Sequence, residues 1–361
     1  MPPEAYLAQF TEPAGYLDFG RFGPPSRAVL DTTADLLART AVAGPSTVDE
    51  LMRQEQRAKE VVARLCGTGP EHVVLLPNTS LGLFQAAFNT PGGEVLVAPA
   101  EFPANVYPWV RAEEAGLLRV RSLGAGQVTA DKVRAALTAE TTAVSLSAVD
   151  FRTGYRADLA AVRDAVGEKL LVVDGIQGFG VVDEPWEAAD VLVVGGQKWL
   201  RAGWGTGFAV LSDRALDRLR PVLSGWTGVR DAGVFDGEIH PVADGAQAWS
   251  ISNLSPVTSG AFAAALELVE DTGTAVIGAL IEQRVRALEE ALSAAGAEIV
   301  SATGRRGGIL AFTVPGVPAK EVGARLAAAG ITATARHEHV RLTPHASTPE
   351  SAADLVRSSL A

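Results

Sequence analysis

Two residues set the chemical question. Lys198 stands in Gly195-Gly196-Gln197-Lys198-Trp199-Leu200, directly after the apolar run Val191 to Val194 and before a second glycine-rich turn, Gly203-Trp204-Gly205-Thr206-Gly207. Asp174 ends another apolar run, Leu170-Leu171-Val172-Val173, and opens Asp174-Gly175-Ile176-Gln177-Gly178-Phe179-Gly180. An isolated aspartate after a strand is more often a turn cap, and a lone lysine is more often on the surface. A lysine and an acid that each terminate a buried strand suit pyridoxal 5'-phosphate: the amine forms a Schiff base with the aldehyde, and the acid keeps the pyridine nitrogen protonated. Gln177, three residues past the acid, brings an amide toward the same ligand, near the ring's phenolic oxygen.

Other segments supply what such a ligand needs. Asn78-Thr79-Ser80 follows the run Val73 to Leu76 and opens an apolar helical stretch, Leu81 to Phe88. Hydroxyls and free amides at a helix N-terminus make a phosphate site, although a plain Ser/Thr cap accounts for the same residues. Phe102, in Glu101-Phe102-Pro103-Ala104-Asn105, can stack on a planar ring or pack in a core. Arg341, in Val340-Arg341-Leu342-Thr343-Pro344-His345, offers a fork for a carboxylate. His337 and His339 share one face of a short strand but bring no clear further ligands, so metal binding is not favoured. No G-x-S-x-G elbow, Walker lysine or G-x-G-x-x-G pattern accompanies these residues.

The elements that must position them alternate. Short Val/Leu runs (73–76, 94–98, 118–122, 143–147, 170–173, 191–194 and 208–211) are separated by helical stretches, which predicts an α/β fold with a mostly parallel sheet covered by helices. Ligands of such sheets sit beyond the carboxyl ends of the strands, where Asp174 and Lys198 fall. A long helical pattern over 259–295, interrupted near Asp271-Thr272-Gly273, leads into a smaller α+β region. The expected division is an N-terminal arm over 1–24, a large domain over 25–240 and a small C-terminal domain over 241–361. At 361 residues there is ample core. A formal net charge of −11 argues against a nucleic-acid groove while leaving room for a local cationic pocket. One cysteine, Cys66, and an N-terminus without a signal-peptide pattern lead us to expect a cytoplasmic protein.

Taken together, these segments resemble the class V aminotransferase superfamily of fold-type I pyridoxal phosphate enzymes, from about Tyr16 to the C-terminus. Phe102-Pro103-Ala104-Asn105, Asp150-Phe151-Arg152-Thr153-Gly154, Lys198-Trp199-Leu200-Arg201-Ala202-Gly203, Ser224-Gly225-Trp226, Ile251-Ser252-Asn253 and Val340-Arg341-Leu342 look most like the kynureninase branch. The resemblance implies a large domain with a mostly parallel seven-stranded sheet. Lys198 would be the Schiff-base lysine and acid/base, Asp174 the pyridinium partner and Gln177 a group near the ring oxygen. Phe102 would stack on the ring, Thr79 and Ser80 would hold the phosphate, Asn105 and Gln197 would add cofactor contacts, and Arg341 would take the substrate carboxylate. Trp226 and Asn253 match positions that reach a cofactor bound mainly by the other subunit, which implies a homodimer with shared active sites.

Departures from the pattern are informative. Gln197 stands where relatives carry His or Tyr, and Gly195 replaces a serine that many use for phosphate. No cysteine follows Cys66, whereas cysteine desulfurases of the superfamily place a nucleophilic cysteine in the C-terminal region. The expected reaction is Cα deprotonation of an L-α-amino acid by the freed lysine, followed by cleavage at the β-position, either carbon–sulfur or carbon–carbon. Amino transfer and epimerisation are the alternatives for the same early steps, and a binding module without turnover is a reading from another class.

Overall fold

The computed structural model describes residues 1–42 and 44–360. Seven strands form the central sheet: β1 (Val73–Leu75), β2 (Glu94–Val97), β3 (Arg119–Ser122), β4 (Thr141–Ser147), β5 (Leu170–Asp174), β6 (Val191–Gly195) and β7 (Gly207–Leu211). Their spatial order is β1-β7-β6-β5-β4-β2-β3. β2 to β6 pair in parallel, and β7 runs antiparallel between β1 and β6. That reversal is not visible in the apolar pattern, because an antiparallel strand buried on both faces reads as the same run as its parallel neighbours.

Burial on both faces explains the runs themselves. Every residue of β5 and β6 is buried. Successive side chains alternate between two cores: Leu171, Val173, Leu192 and Val194 face one, while Val172, Val191 and Val193 face the other, with Leu83, Ala86 and Trp109. Because β5 and β6 are parallel neighbours, their carboxyl ends open side by side at one edge of the sheet.

The C-terminal part carries β8 (Glu298–Ile299), β9 (Leu310–Thr313), β10 (Thr334–Ala335) and β11 (Val340–Leu342), an antiparallel sheet of order β10-β11-β9-β8. The long helical pattern is two helices, Pro256–Thr272 and Thr274–Ala294, broken at Gly273, whose φ of 88° suits glycine. The first of these lies beyond residue 240 yet packs on the Arg27–Ala41 and Pro45–Cys66 helices, with Arg57–Glu267 and Arg64–Glu270 ion pairs along the seam. This helix, past the expected division at 240, thus packs with helices that precede the central sheet. No helix among the described residues is long and apolar enough to cross a membrane.

The N-terminal segment is more than a loose arm. After a short helix, Pro3–Leu7, it runs as a strap in which Leu17 and Phe19 are fully buried. Its backbone bonds to the small domain (Leu17 N to Thr332 O, 3.0 Å; Thr343 N to Leu17 O, 2.7 Å) and to the lysine loop (Gly23 N to Gln197 O, 2.9 Å). Glu12 and Arg201, both almost wholly buried, form a two-point ion pair, and Arg201 also donates to Pro24 O and Ser347 Oγ. Burial pushes the Glu12 carboxyl up, but the Arg201 guanidinium outweighs it and holds the acid below its usual range. Replacing Glu12 by Gln strands the guanidinium, so Glu12→Gln is expected to lose about 3 kcal/mol of unfolding free energy in a urea titration. In the parent protein the pair's contribution is present above the usual carboxylate range of about 4.3 and is lost as the pH falls through the lowered folded value.

Candidate active site

Lys198 follows β6 after two glycines that leave no room for side chains. A Cβ on Gly195 would stand 2.6 Å from Gln197 Oε1 and 2.7 Å from Thr79 Oγ1, and one on Gly196 would stand 2.4 Å from Thr206 Oγ1. The volume a serine would take at 195 is thus filled by Gln197 and Thr79. Lys198 lies in a cavity of about 520 Å³ where the β5, β6 and β1 edge meets the β10–β11 hairpin and the N-terminal strap. Its Nζ is 5.4 Å from the centre of the Phe102 ring. Burial depresses the Lys198 ammonium to about 8; Asp174 opposes that shift, and Arg341 and Arg336 add to it. Asp174, fully enclosed at the end of β5, accepts a 3.0 Å bond from Ile176 N–H. Burial pushes its carboxyl up to about 6, against that N–H and the Lys198 charge.

The helix Thr79–Asn89 begins at the cavity wall, and its N-cap is Asn78, whose Oδ1 accepts from Leu81 N at 2.9 Å. The cap therefore consumes neither hydroxyl of Thr79 or Ser80. Thr79 Oγ1 is buried without a hydrogen-bond partner, and both residues line the cavity. An orphaned hydroxyl beside open amides at a helix start fits an anionic ligand group. Phe102 is 39% exposed and sits edge-on to Phe151 (5.2 Å, 81°), leaving its ring available to the cavity.

Other expected contacts are placed differently. Gln177 lines the cavity, but its Oε1 accepts from Trp199 Nε1 (2.8 Å) and its Nε2 donates to Gly20 O (3.0 Å), so one amide hydrogen remains for a ligand. Asn105 is not on the cavity wall: it is fully buried, and its Oδ1 is turned to Ser145 Oγ (2.6 Å) and Trp109 Nε1 (3.5 Å), so it braces the sheet behind Phe102. Trp226 and Asn253 lie on the surface, outside the cavity of their own chain. Arg341 lines the cavity and is almost wholly buried. Its Nη1 donates to Phe151 O (2.8 Å) and its Nη2 to Asp18 Oδ1 (3.2 Å), while Nε has no partner. Arg21, Arg336 and Phe151 also line the cavity in places the sequence did not announce. The Cys66 thiol lies elsewhere, buried at a helix end and pushed up to about 12 by burial.

A profile described as "Aminotransferase class-V" matches residues 25–361. The chain belongs to the class V aminotransferase family. That family uses pyridoxal 5'-phosphate, and the enclosed lysine and acid, the half-open ring and the unpartnered Thr79 hydroxyl fit that group. Among its relatives, a kynureninase of Deinococcus radiodurans is 29% identical over 68% of this chain and 60% of its own length. A probable cysteine desulfurase of Aeropyrum pernix is 34% identical over 49% of this chain and 46% of its own length. The match thus spans less than two thirds of either relative. A mutant of the protein C-DES, solved with glycine covalently linked to its PLP cofactor, superposes with a TM-score of 0.90 at 18% identity, covering 100% of this chain and 99% of that one. C-DES has also been solved as a cystine C–S lyase with its product cysteine persulfide. The architecture is that of fold-type I pyridoxal phosphate enzymes.

Capture of pyridoxal phosphate by this class V protein, trapped with borohydride and located by mass spectrometry, is expected on Lys198. The initial trapping rate should rise with pH through a midpoint near 8, since the amine is neutral above the depressed value. Asp174→Asn removes the charge that raises Lys198 and is expected to shift that midpoint down.

Proposed function

We propose that this class V enzyme is a pyridoxal-phosphate-dependent lyase that cleaves the β-position of an L-α-amino acid, with a carbon–sulfur bond as the favoured target and a carbon–carbon bond as the second. The observation that carries this reading is the pairing of a buried Lys198, its ammonium depressed to about 8, with an enclosed Asp174, in a chain whose one cysteine is sequestered away from the cavity. Cysteine desulfurases of the superfamily depend on a nucleophilic cysteine; among the described residues no cysteine lines this cavity to carry a persulfide. Release of sulfur on a small leaving group, as the C–S lyase neighbour's name describes for that protein, remains compatible with these residues.

Pyridoxal phosphate, when bound, supplies an aldehyde for the substrate amine and a ring that accepts the electron pair left at Cα. Thr79 and Ser80 would hold its phosphate, Phe102 would cover its face, and Asp174 would keep its ring nitrogen protonated. Lys198 would take the Cα proton, and burial tunes its basicity toward neutral pH. Arg341 orients the α-carboxylate through its unpartnered Nε. Gly20 and Arg21 of the strap close the cavity beside Gln177. Trp226 and Asn253, exposed on their own chain, complete the site of the second subunit of a homodimer.

Incubation of loaded enzyme with S-substituted L-cysteines is expected to give one thiol, one pyruvate and one ammonium per turnover, and L-kynurenine is the corresponding carbon–carbon test, read as alanine. Lys198→Ala should lower turnover by about 10²–10⁴-fold. Amino transfer to a keto acid without these products would sink the lyase reading.

A further inference from the structure

The cavity holds more positive charge than an α-amino acid requires. Its wall carries Arg21, Lys198, Arg336 and Arg341 against one carboxylate, Asp174, in a chain of net charge −11. Lys198 and Asp174 balance each other, Arg341 is paired with Asp18, and Arg21, which joins no ion pair among the described residues, is exposed to solvent. Arg336 has no such partner: among the described residues it joins no ion pair, whereas the nearby Arg152 and Arg341 pair with Asp150 and Asp18. Its Nε is buried with no hydrogen-bond partner, and its guanidinium carbon stands 5.0 Å from the centre of the Phe151 ring.

The backbone that carries it is held in place. Arg336 N–H donates to His339 O at 2.8 Å, closing the turn between β10 and β11, and Thr334 pairs with Arg341 across that hairpin. From Lys198 Nζ the contacts run through the Phe102 ring (5.4 Å) to the Phe151 ring (5.2 Å from Phe102) and on to Arg336. The phosphate has its own seat at the orphaned Thr79 hydroxyl, on a different element. A half-buried guanidinium without an anion is costly unless a ligand supplies one.

We propose that Arg336 is a specificity residue for a second anionic group, carried by the substrate side chain beyond the bond that is cleaved. The inference rests on the amino-acid lyase reading above and narrows its substrate class to L-amino acids with an acidic β-substituent.

A matched pair tests it: S-carboxymethyl-L-cysteine and its neutral isostere S-carbamoylmethyl-L-cysteine. Calorimetric binding to the protein without cofactor is read beside kcat/KM of the loaded enzyme. The wild type is expected to favour the acid at least tenfold in both readouts. Arg336→Gln should bring the ratio to about one, and Arg336→Lys, which keeps the charge but not the fork, should retain part of it. A wild-type ratio near one, or a ratio unchanged in Arg336→Gln, overturns the proposal, as does a loss of pyridoxal phosphate capture in that variant, which would make Arg336 a phosphate ligand. If neither compound is cleaved yet the acid binds preferentially through Arg336, the lyase reading falls and the anion site stands. If both are cleaved without preference, the reverse holds.

Discussion

The site depends on keeping one amine out of water. Desolvation is the largest influence on Lys198 and on Asp174, and it acts on both toward neutrality: the ammonium loses its proton more readily, and the carboxylate holds one more readily. Such a pair would be unfavourable in a core without compensation. Here each partner moderates the other's shift, the Ile176 amide supports the acid, and the cavity leaves space for a ligand that completes the charges. The sheet makes the arrangement possible. Two parallel strands, apolar on both faces, deliver their next residues to one edge, so the expensive groups stand where the core ends rather than inside it.

Keeping water out requires walls that the sheet does not supply. The N-terminal strap contributes the first, stitched to the small domain by backbone bonds and to the lysine loop by Gly23 N–H to Gln197 O. The Glu12–Arg201 pair fixes the strap from behind, with the guanidinium stacked 3.7 Å from the centre of the Phe10 ring. Arg201 lies three residues past Lys198, so the same short segment carries both the reactive amine and the anchor of its cover.

How much of this was legible in the sequence follows from where the information sits. Lys198 and Asp174 were readable because strand burial writes itself as unbroken apolar runs, and the residue ending each run must lie at the sheet edge. Thr79 was readable as a helix start but not as a free hydroxyl, because only the backbone shows that Asn78 takes the cap. Asn105 lies off the cavity for a related reason: Phe102 faces the cavity, and the short turn Pro103–Asn105 carries the amide back toward Ser145 of the sheet. The reversed β7 and the Pro256–Thr272 helix joining the large domain were hidden, since neither strand direction nor the choice of packing partner alters local periodicity. Arg336 and Asp18 were invisible because an arginine in a hairpin and an acid in an irregular arm carry no pattern until the two segments meet.

Arg341 shows why that meeting matters for binding. Its fork has five donors; Phe151 O takes one on Nη1, Asp18 and Thr334 share Nη2, and Nε is left free. Asp18 therefore orients the guanidinium rather than occupying it, since a carboxylate approaching the Nε side meets donors already aimed. Asp18 belongs to the strap, Thr334 to the β10–β11 hairpin and Phe151 to the loop after β4. A substrate carboxylate that engages Arg341 thus bonds to a group held by three separate walls at once. On the proposed reading, the walls that orient the substrate carboxylate are therefore the same walls that enclose Lys198.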